Sequence, residues 1–383
     1  MPKKKQIFVE KSQVDQQLVK ALDKAGIPYE LSPDEAIDSH YRSGKKDIHL
    51  VPKKGDSMDT CATISDKYIC CNVKVLKSVS NCPYDCSYCF LQNYLNDGRT
   101  KVVSDTDSLM KEVKEKCEAE PNRLFRIGTW ELGDSLALEE DVAQASLLIE
   151  AFKDIPNAIL ELKTKSNKVD PILNCDHGGH TVVSWSLNSE KIVTEQEHKT
   201  ARLHERLDAL KKVTDAGYLV GLHFDPIILH EGWQQQYASL IKQSIAATNS
   251  SQIAWISIGS LRFNPEMKKK IEINFPKTSI THEEMVQGDD GKVRYVKPIR
   301  NQLYQHFVNE LKTQLNCDDL STLTGFTQNK PLVYFCMERW DMWEKFLIGV
   351  PKSIQHLDYL FAQSMHQRYP AQFPQTPDIK HYA

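Results

Sequence analysis

Asn81-Cys-Pro-Tyr-Asp-Cys-Ser-Tyr-Cys-Phe90 holds three thiols, Cys82, Cys86 and Cys89, in the spacing C-x3-C-x2-C. Three thiolates on one tight loop can hold three irons of a cubane cluster and leave the fourth iron open to a small molecule. A cluster that only passes electrons normally takes four cysteines, and structural zinc is usually closed by four ligands, often as two C-x2-C pairs. The missing fourth cysteine therefore points to a metal centre that does chemistry. The plainer alternative is a non-catalytic iron–sulfur or zinc-binding protein.

Working outward, an apolar run from Val73 to Val79 leads into the loop. Five more candidate strands follow, Leu124 to Trp130, Ala158 to Lys165, Thr181 to Leu187, Tyr218 to Ile228 and Ile253 to Leu261. Between them lie helical patterns at Asp107 to Glu118, Glu139 to Phe152, Ala201 to Ala216 and Trp233 to Ala247. Alternating strand and helix units argue for an α/β fold with a parallel sheet and right-handed crossovers.

The chain of 383 residues can bury a large core, and its length suits one barrel with terminal additions or two domains. A net charge of −3 gives no overall positive field to draw nucleic acid. The basic start, Lys3 to Lys5, is short and no apolar run follows it, which predicts neither a signal peptide nor a membrane anchor. Ten cysteines are too few for a disulfide scaffold in a chain this long, so the expected compartment is the reducing cytosol. Residues 1–60 read as a partly ordered N-terminal extension with one helical pattern, Gln13 to Ala25, and a polar stretch containing Pro33, Pro52 and Gly55. Residues 61–305 hold the strand–helix units. Residues 306–383 read as a C-terminal extension packed on the barrel wall, with apolar Leu332 to Met337, Trp340, Trp343 and a helix over Ser353 to Met365.

The cysteine loop and its surroundings resemble the radical S-adenosylmethionine (SAM) superfamily, and within it the spore photoproduct lyase-like, DNA photolyase-related family. The likeness runs on through Leu91-Gln92, Glu161-Leu-Lys-Thr-Lys165, Ser184-Trp-Ser-Leu-Asn188, Asp215-Ala-Gly-Tyr218, Pro226-Ile-Ile-Leu-His-Glu-Gly-Trp233 and Phe275-Pro-Lys-Thr278. It implies a partial (β/α)6 TIM-type barrel with N- and C-terminal extensions, whose active site lies at the C-terminal strand ends. It also implies a [4Fe-4S] cluster on Cys82, Cys86 and Cys89, with SAM on the open iron and reductive cleavage to a 5′-deoxyadenosyl radical. The partners implied are a reducing electron donor such as flavodoxin or ferredoxin, and DNA or a nucleotide as substrate; no membrane is involved.

Site residues follow from matching positions. Lys165, ending the third strand, is expected to contact SAM, its cation suiting a carboxylate or ribose oxygen. Ser186 and Asn188 match the family's Ser-x-Asn, with Ser186 as a SAM contact; turn formation is the plain alternative. Tyr88 matches an aromatic that could stack near the adenine or simply exclude water. An ungapped match puts Glu131 where the lyase carries its hydrogen-donating cysteine, and Phe90 where a radical-relaying tyrosine stands. A carboxylate O–H is too strong to give up a hydrogen atom, and Phe has no phenolic hydrogen. Glu131 is expected instead to contact the SAM ammonium or the substrate.

Asp225 replaces a small residue near SAM, and His223 shares its face by the strand period of two. A buried carboxylate needs a partner, so Asp225 is expected to bind SAM, His223 or substrate. In the basic, aromatic segment Gly291 to Arg300, the side chains Arg294, Tyr295, Lys297 and Arg300 are expected to track phosphates. Cys61, Cys70 and Cys71 offer thiols for a second cluster. Glu131 and Phe90 favour a radical SAM enzyme on this scaffold with another substrate, such as a peptide or small metabolite. Lys165 and Ser186 count against a mere metal clip, which needs neither.

Overall fold

The computed structural model describes residues 5–33, 42–61, 67–321, 326–327 and 330–382. Lys3 and Lys4 of the basic start lie outside the described residues. Six strands form where the apolar runs predict them: β1 Lys74–Leu76, β2 Phe125–Gly128, β3 Ala158–Thr164, β4 Thr181–Ser186, β5 Leu219–Ile227 and β6 Ile253–Ser260. They pair in chain order and every neighbour is parallel. Every residue of β2, β4 and β6 is buried, as strands covered by helices outside and by one another's side chains inside must be.

Two strands extend this row to eight. Met58–Thr60 pairs antiparallel with β1, and β7, Leu332–Phe335, pairs parallel with β6. The apolar stretch expected on the barrel wall is thus a strand of the sheet, and all four of its residues are buried. The run from Val73 to Val79 does not stay whole: β1 ends at Leu76, and Val79–Ser80 pairs with a different sheet. The result is an α/β open barrel of the expected kind.

The helix expected over Glu139 to Phe152 breaks at Ala143, whose φ of 46° lies in the left-handed region. Glu139 explains the break. Its buried carboxylate accepts from the amides of Ala145 at 2.7 Å and Ser146 at 2.8 Å, capping the new helix from outside.

The N-terminal stretch is more ordered than its polar composition suggests. Glu30–Ser32, Ile7–Glu10, Ile48–Val51 and Thr100–Val103 form a parallel sheet, with Val79–Ser80 antiparallel at its edge. Ile7, Val9, Leu18, Leu22, Ile48, Leu50 and Val102 supply its core. This sheet matters for the site because it lies beside the cysteine loop. No helix among the described residues is long and apolar enough to cross a membrane.

Candidate active site at the barrel mouth

The cysteine loop leaves the sheet just after Val79–Ser80 and is pinned at every turn. Asn81 takes a left-handed φ of 68°, accepts from the Cys82 amide at 2.8 Å and donates to the Gly98 carbonyl at 2.6 Å. Asp85 is buried and draws three cations, Arg42 at 2.6 Å, Lys45 at 3.6 Å and Lys199 at 3.7 Å. Lys45 also donates to the Tyr84 carbonyl at 2.7 Å, so the N-terminal sheet grips the loop directly. Asp85–Cys86 pairs antiparallel with Glu197–His198, and Gln92 closes the far side through the carbonyls of Ser87 and Cys89.

None of the three thiols is in a disulfide. Burial pushes Cys86 up to about 12, against the pull of Lys165, and pushes Cys82 well above the usual thiol range, reinforced by Asp134. A metal taking these sulfurs as thiolates must displace their protons. The donor set itself fits an iron–sulfur cluster: three cysteines on one loop, close enough to perturb one another electrostatically. Among the described residues no three His, Cys, Asp or Glu side chains converge on a point that would hold a single ion. Cubane ligands need no such convergence, since each takes a different iron. Of the other thiols, Cys70 interacts with both Cys61 and Cys71.

Behind the loop lies an ion pair that inspection of motifs does not reveal. Glu197 accepts from the Tyr88 hydroxyl and pairs with Arg206 at 2.6 Å, and both charged groups are buried. Lys165 stands 5.7 Å above the Tyr88 ring. Burial would lower its pKa, but Glu197 and Cys86 outweigh burial and raise it, so Lys165 stays a cation facing the loop. Ser186 is buried one strand over, its carbonyl accepting from Arg206 at 3.0 Å. Asn188 is committed structurally: it donates to the Pro226 carbonyl at 2.8 Å and accepts from Tyr237 at 2.7 Å and the Ser189 amide at 3.1 Å.

Deeper in the barrel, Glu161 is wholly buried and saturated. Its Oε2 accepts from Arg126 at 2.9 Å and Trp130 at 3.1 Å; its Oε1 accepts from Ser184 at 2.8 Å, His223 at 2.9 Å and Trp255 at 3.1 Å. Burial alone would raise the Glu161 pKa; Arg126 and the His223 bond overcome it and hold the carboxylate below its usual range. Since a carboxylate only accepts, His223 donates from Nε2. Burial lowers His223 to about 4 despite Glu161, so the ring is neutral at pH 7.

Asp225 has another partner than those expected. Arg262 holds it bidentately at 2.8 and 3.1 Å and also donates to Cys336 Sγ at 3.2 Å. Burial raises the Asp225 pKa, and Arg262 more than reverses this, to about 2. A Cβ on Gly259 would lie 2.7 Å from Asp225 Oδ1, so the pair packs on bare backbone. Asp225 and His223 share a wall, as the strand period predicts, but each is bonded elsewhere.

Comparison with known proteins now decides the lineage. The spore photoproduct lyase family matches residues 30–324. The chain belongs to the spore photoproduct lyase family. Its members are radical SAM enzymes. The spore photoproduct lyase of Clostridium acetobutylicum is 24% identical over 250 residues, covering 63% of this chain and 74% of that protein. That of Bacillus subtilis is 27% identical over 221 residues, covering 56% and 62%. Among solved structures, a spore photoproduct lyase complexed with dinucleoside spore photoproduct superposes with a TM-score of 0.72 at 21% identity, over 86% of this chain and 98% of that one. A double mutant with bound AdoMet and dinucleoside spore photoproduct gives 0.70 at 21%, over 81% and 95%. At such identities the superpositions speak for the fold.

The two residues expected to depart from the family, Phe90 and Glu131, sit differently. Phe90 is 42% exposed and packs on Tyr94, turned outward from the loop. Glu131 is half-buried in the loop after β2; burial raises its pKa against the pull of Lys163, and the Cys61 thiol hydrogen-bonds it.

The basic segment does not offer the phosphate contacts expected of it. Arg294 is buried against Asp290 at 2.6 Å and Tyr68 at 2.6 Å; Arg300 is buried against Glu338 at 3.2 Å and the Tyr295 carbonyl at 3.0 Å. The buried Tyr295 hydroxyl accepts from the Leu229 amide at 3.1 Å. Only Lys297 of the four reaches the surface, where Asp341 takes it at 2.6 Å. A carboxylate within reach neutralises Arg294, Lys297 and Arg300, so these side chains serve the fold. A cavity of about 420 Å³ lies away from all of this, lined by Pro121, Leu124, Ile155, Phe373 and Tyr382 near the N-terminal ends of β2 and β3.

Proposed function

We propose that Cys82, Cys86 and Cys89 hold a [4Fe-4S] cluster and that this protein is a radical SAM enzyme that cleaves SAM reductively. Bound there, the reduced cluster would supply the electron that splits the sulfonium to a 5′-deoxyadenosyl radical. One observation carries the reading: the loop is hung over the C-terminal ends of ordered parallel strands with the Lys165 cation facing it from β3's end. Lys165 would take the SAM carboxylate or a ribose oxygen, Ser186 a second polar atom, and Tyr88 would wall the adenine from water. The Glu197–Arg206 pair fixes Tyr88 and braces Cys86 from behind. Such work suits the reducing cytosol, where a flavodoxin or ferredoxin can donate the electron; none of the ten cysteines is in a disulfide.

DNA or a nucleotide is the substrate class that the relatives suggest, since their solved structures hold dinucleoside spore photoproduct. Glu131 and Phe90 favour a second reading, in which the same radical acts on a peptide or small metabolite.

The test is anaerobic reconstitution with iron and sulfide, then reduction with SAM. Formation of 5′-deoxyadenosine is expected, and its absence from protein with a properly formed cluster would refute the proposal. Cys86→Ala should abolish cleavage; cleavage retained would show the ligand assignment to be wrong. With a thymine-dimer dinucleotide in the same assay, no clean repair to two thymines is expected, and clean repair would eliminate the second reading.

A further inference from the structure

The inward positions of β3 recur every second residue, so Glu161, Lys163 and Lys165 form three tiers about 7 Å apart along the strand. The bottom tier is closed, for Glu161 is saturated by Arg126, Ser184, His223 and two indoles. The top tier faces the cysteine loop, where Glu197 offsets Lys165. The middle tier is different. Lys163 Nζ stands 3.5 Å from the centre of the Trp130 ring, and among the described residues it has no hydrogen bond or ion pair.

Two carboxylates lie near Lys163, and neither makes a salt bridge to it among the described residues. Asp225 is held bidentately by Arg262, and Glu131 takes the Cys61 thiol. Trp130 is itself fixed, its indole lying across the bare face of Gly128 and donating to Glu161 at 3.1 Å. The ammonium therefore rests on a rigid platform with its three N–H bonds unspent. Lys292 makes a similar case: its Nζ has only the Met337 sulfur, at 3.5 Å, among the described residues. Two ammoniums thus border Glu131 without an ion pair to it. The Arg126–Glu161 and Arg262–Asp225 pairs cancel around them.

We infer that Lys163 binds an anionic oxygen of the substrate, a phosphate or a carboxylate, in the tier between the Glu161 floor and the cysteine loop. The inference rests on the radical-enzyme reading of the mouth and adds the chemical class of the group held there.

Calorimetric titration of cluster-loaded protein, with SAM saturating so that the top tier is occupied, tests it. The probes are thymidine 5′-monophosphate against thymidine, and N-acetylglycine against N-acetylglycinamide. At least one anion should bind about tenfold or more tightly than its neutral partner, the worth of a charge-assisted bond, and the pair that shows this names the source. Lys163→Met should bring that pair to parity, while Lys163→Arg keeps the preference; the thermal midpoint and the cluster's visible absorption report that each variant is folded. Neutral and charged probes binding alike in the natural protein, or a preference that survives in Lys163→Met, would overturn the inference. A natural protein that prefers the anion yet forms no 5′-deoxyadenosine would instead refute the proposed function alone.

Discussion

Removing the carboxylate of Glu161 should unfold this protein more readily than almost any other single change in the barrel. Glu161→Ala leaves the buried Arg126 guanidinium without its counter-ion, 2.9 Å away in the intact chain. Breaking a buried pair from one side costs about 3–5 kcal/mol. The hydroxyl of Ser184 can rotate and His223 can change tautomer, but the indoles of Trp130 and Trp255, both 3.1 Å from Glu161, are fixed donors that lose their acceptor. Each adds roughly 1 kcal/mol, partly shared with the first cost, for a total of about 5 kcal/mol. For a chain of 383 residues this lowers the thermal midpoint by about 6 °C. Anaerobic thermal and urea unfolding, followed by circular dichroism, read it directly. The sharper measurement is a cycle with Arg126→Met, expected to cost about 3 kcal/mol alone, because four neutral donors still attend the carboxylate. Arg126→Met with Glu161→Ala removes both charges, and should be only about 3 kcal/mol less stable than the natural chain, a coupling of about 5 kcal/mol. A loss below about 1 kcal/mol for Glu161→Ala, or a double variant as unstable as the sum of the singles, would refute the reasoning.

Two further outcomes follow from the same interior. His223 is held at about 4 by burial, whereas an unfolded histidine titrates near 6.5, so the unfolded state binds a proton that the fold refuses. Its contribution is therefore complete above pH 6.5 and is lost as pH falls towards 4, about 3 kcal/mol in all. Urea midpoints across that window should flatten in His223→Gln, and an unchanged slope would assign the acid sensitivity elsewhere. Arg262→Met strands the Asp225 carboxylate and should cost about 3 kcal/mol at pH 7, most of it restored by adding Asp225→Asn; failure of the second change to rescue would show that Arg262 acts through Cys336 instead.

The barrel was legible because its strands are long enough to carry a signal. Runs such as Ile253–Ser260 are buried throughout and bounded by turn residues, so periodicity and apolar content agree. The N-terminal sheet was not, since Ile7–Glu10, Glu30–Ser32 and Ile48–Val51 are too short to distinguish from loop, and two of its strands come from later in the chain. Partners were harder still. The basic residues around Arg294 are evident by composition, but the carboxylates that neutralise them are brought in by folding, as Asp341 is to Lys297 across 44 positions. Asp225 meets Arg262 across 37. A signal was nonetheless present in Glu161, Lys163 and Lys165: charged residues at every second position of a strand otherwise apolar are inward-facing, and inward charges require partners.

That contrast separates where a radical would be made from where it would be spent. The groups concerned with its origin lie on one loop and two adjoining strand ends, Cys82, Cys86, Cys89, Lys165 and Ser186, each fixed by bonds to near neighbours. Contiguity of that kind can be carried by a motif. The groups that would meet a substrate do not share an element: Glu131 follows β2, Lys163 lies within β3, Asp225 within β5, Arg262 beyond β6 and Cys61 beside β1. Any one of them can change while the loop stays intact. A family can therefore keep one way of making a radical while its members alter what the radical meets.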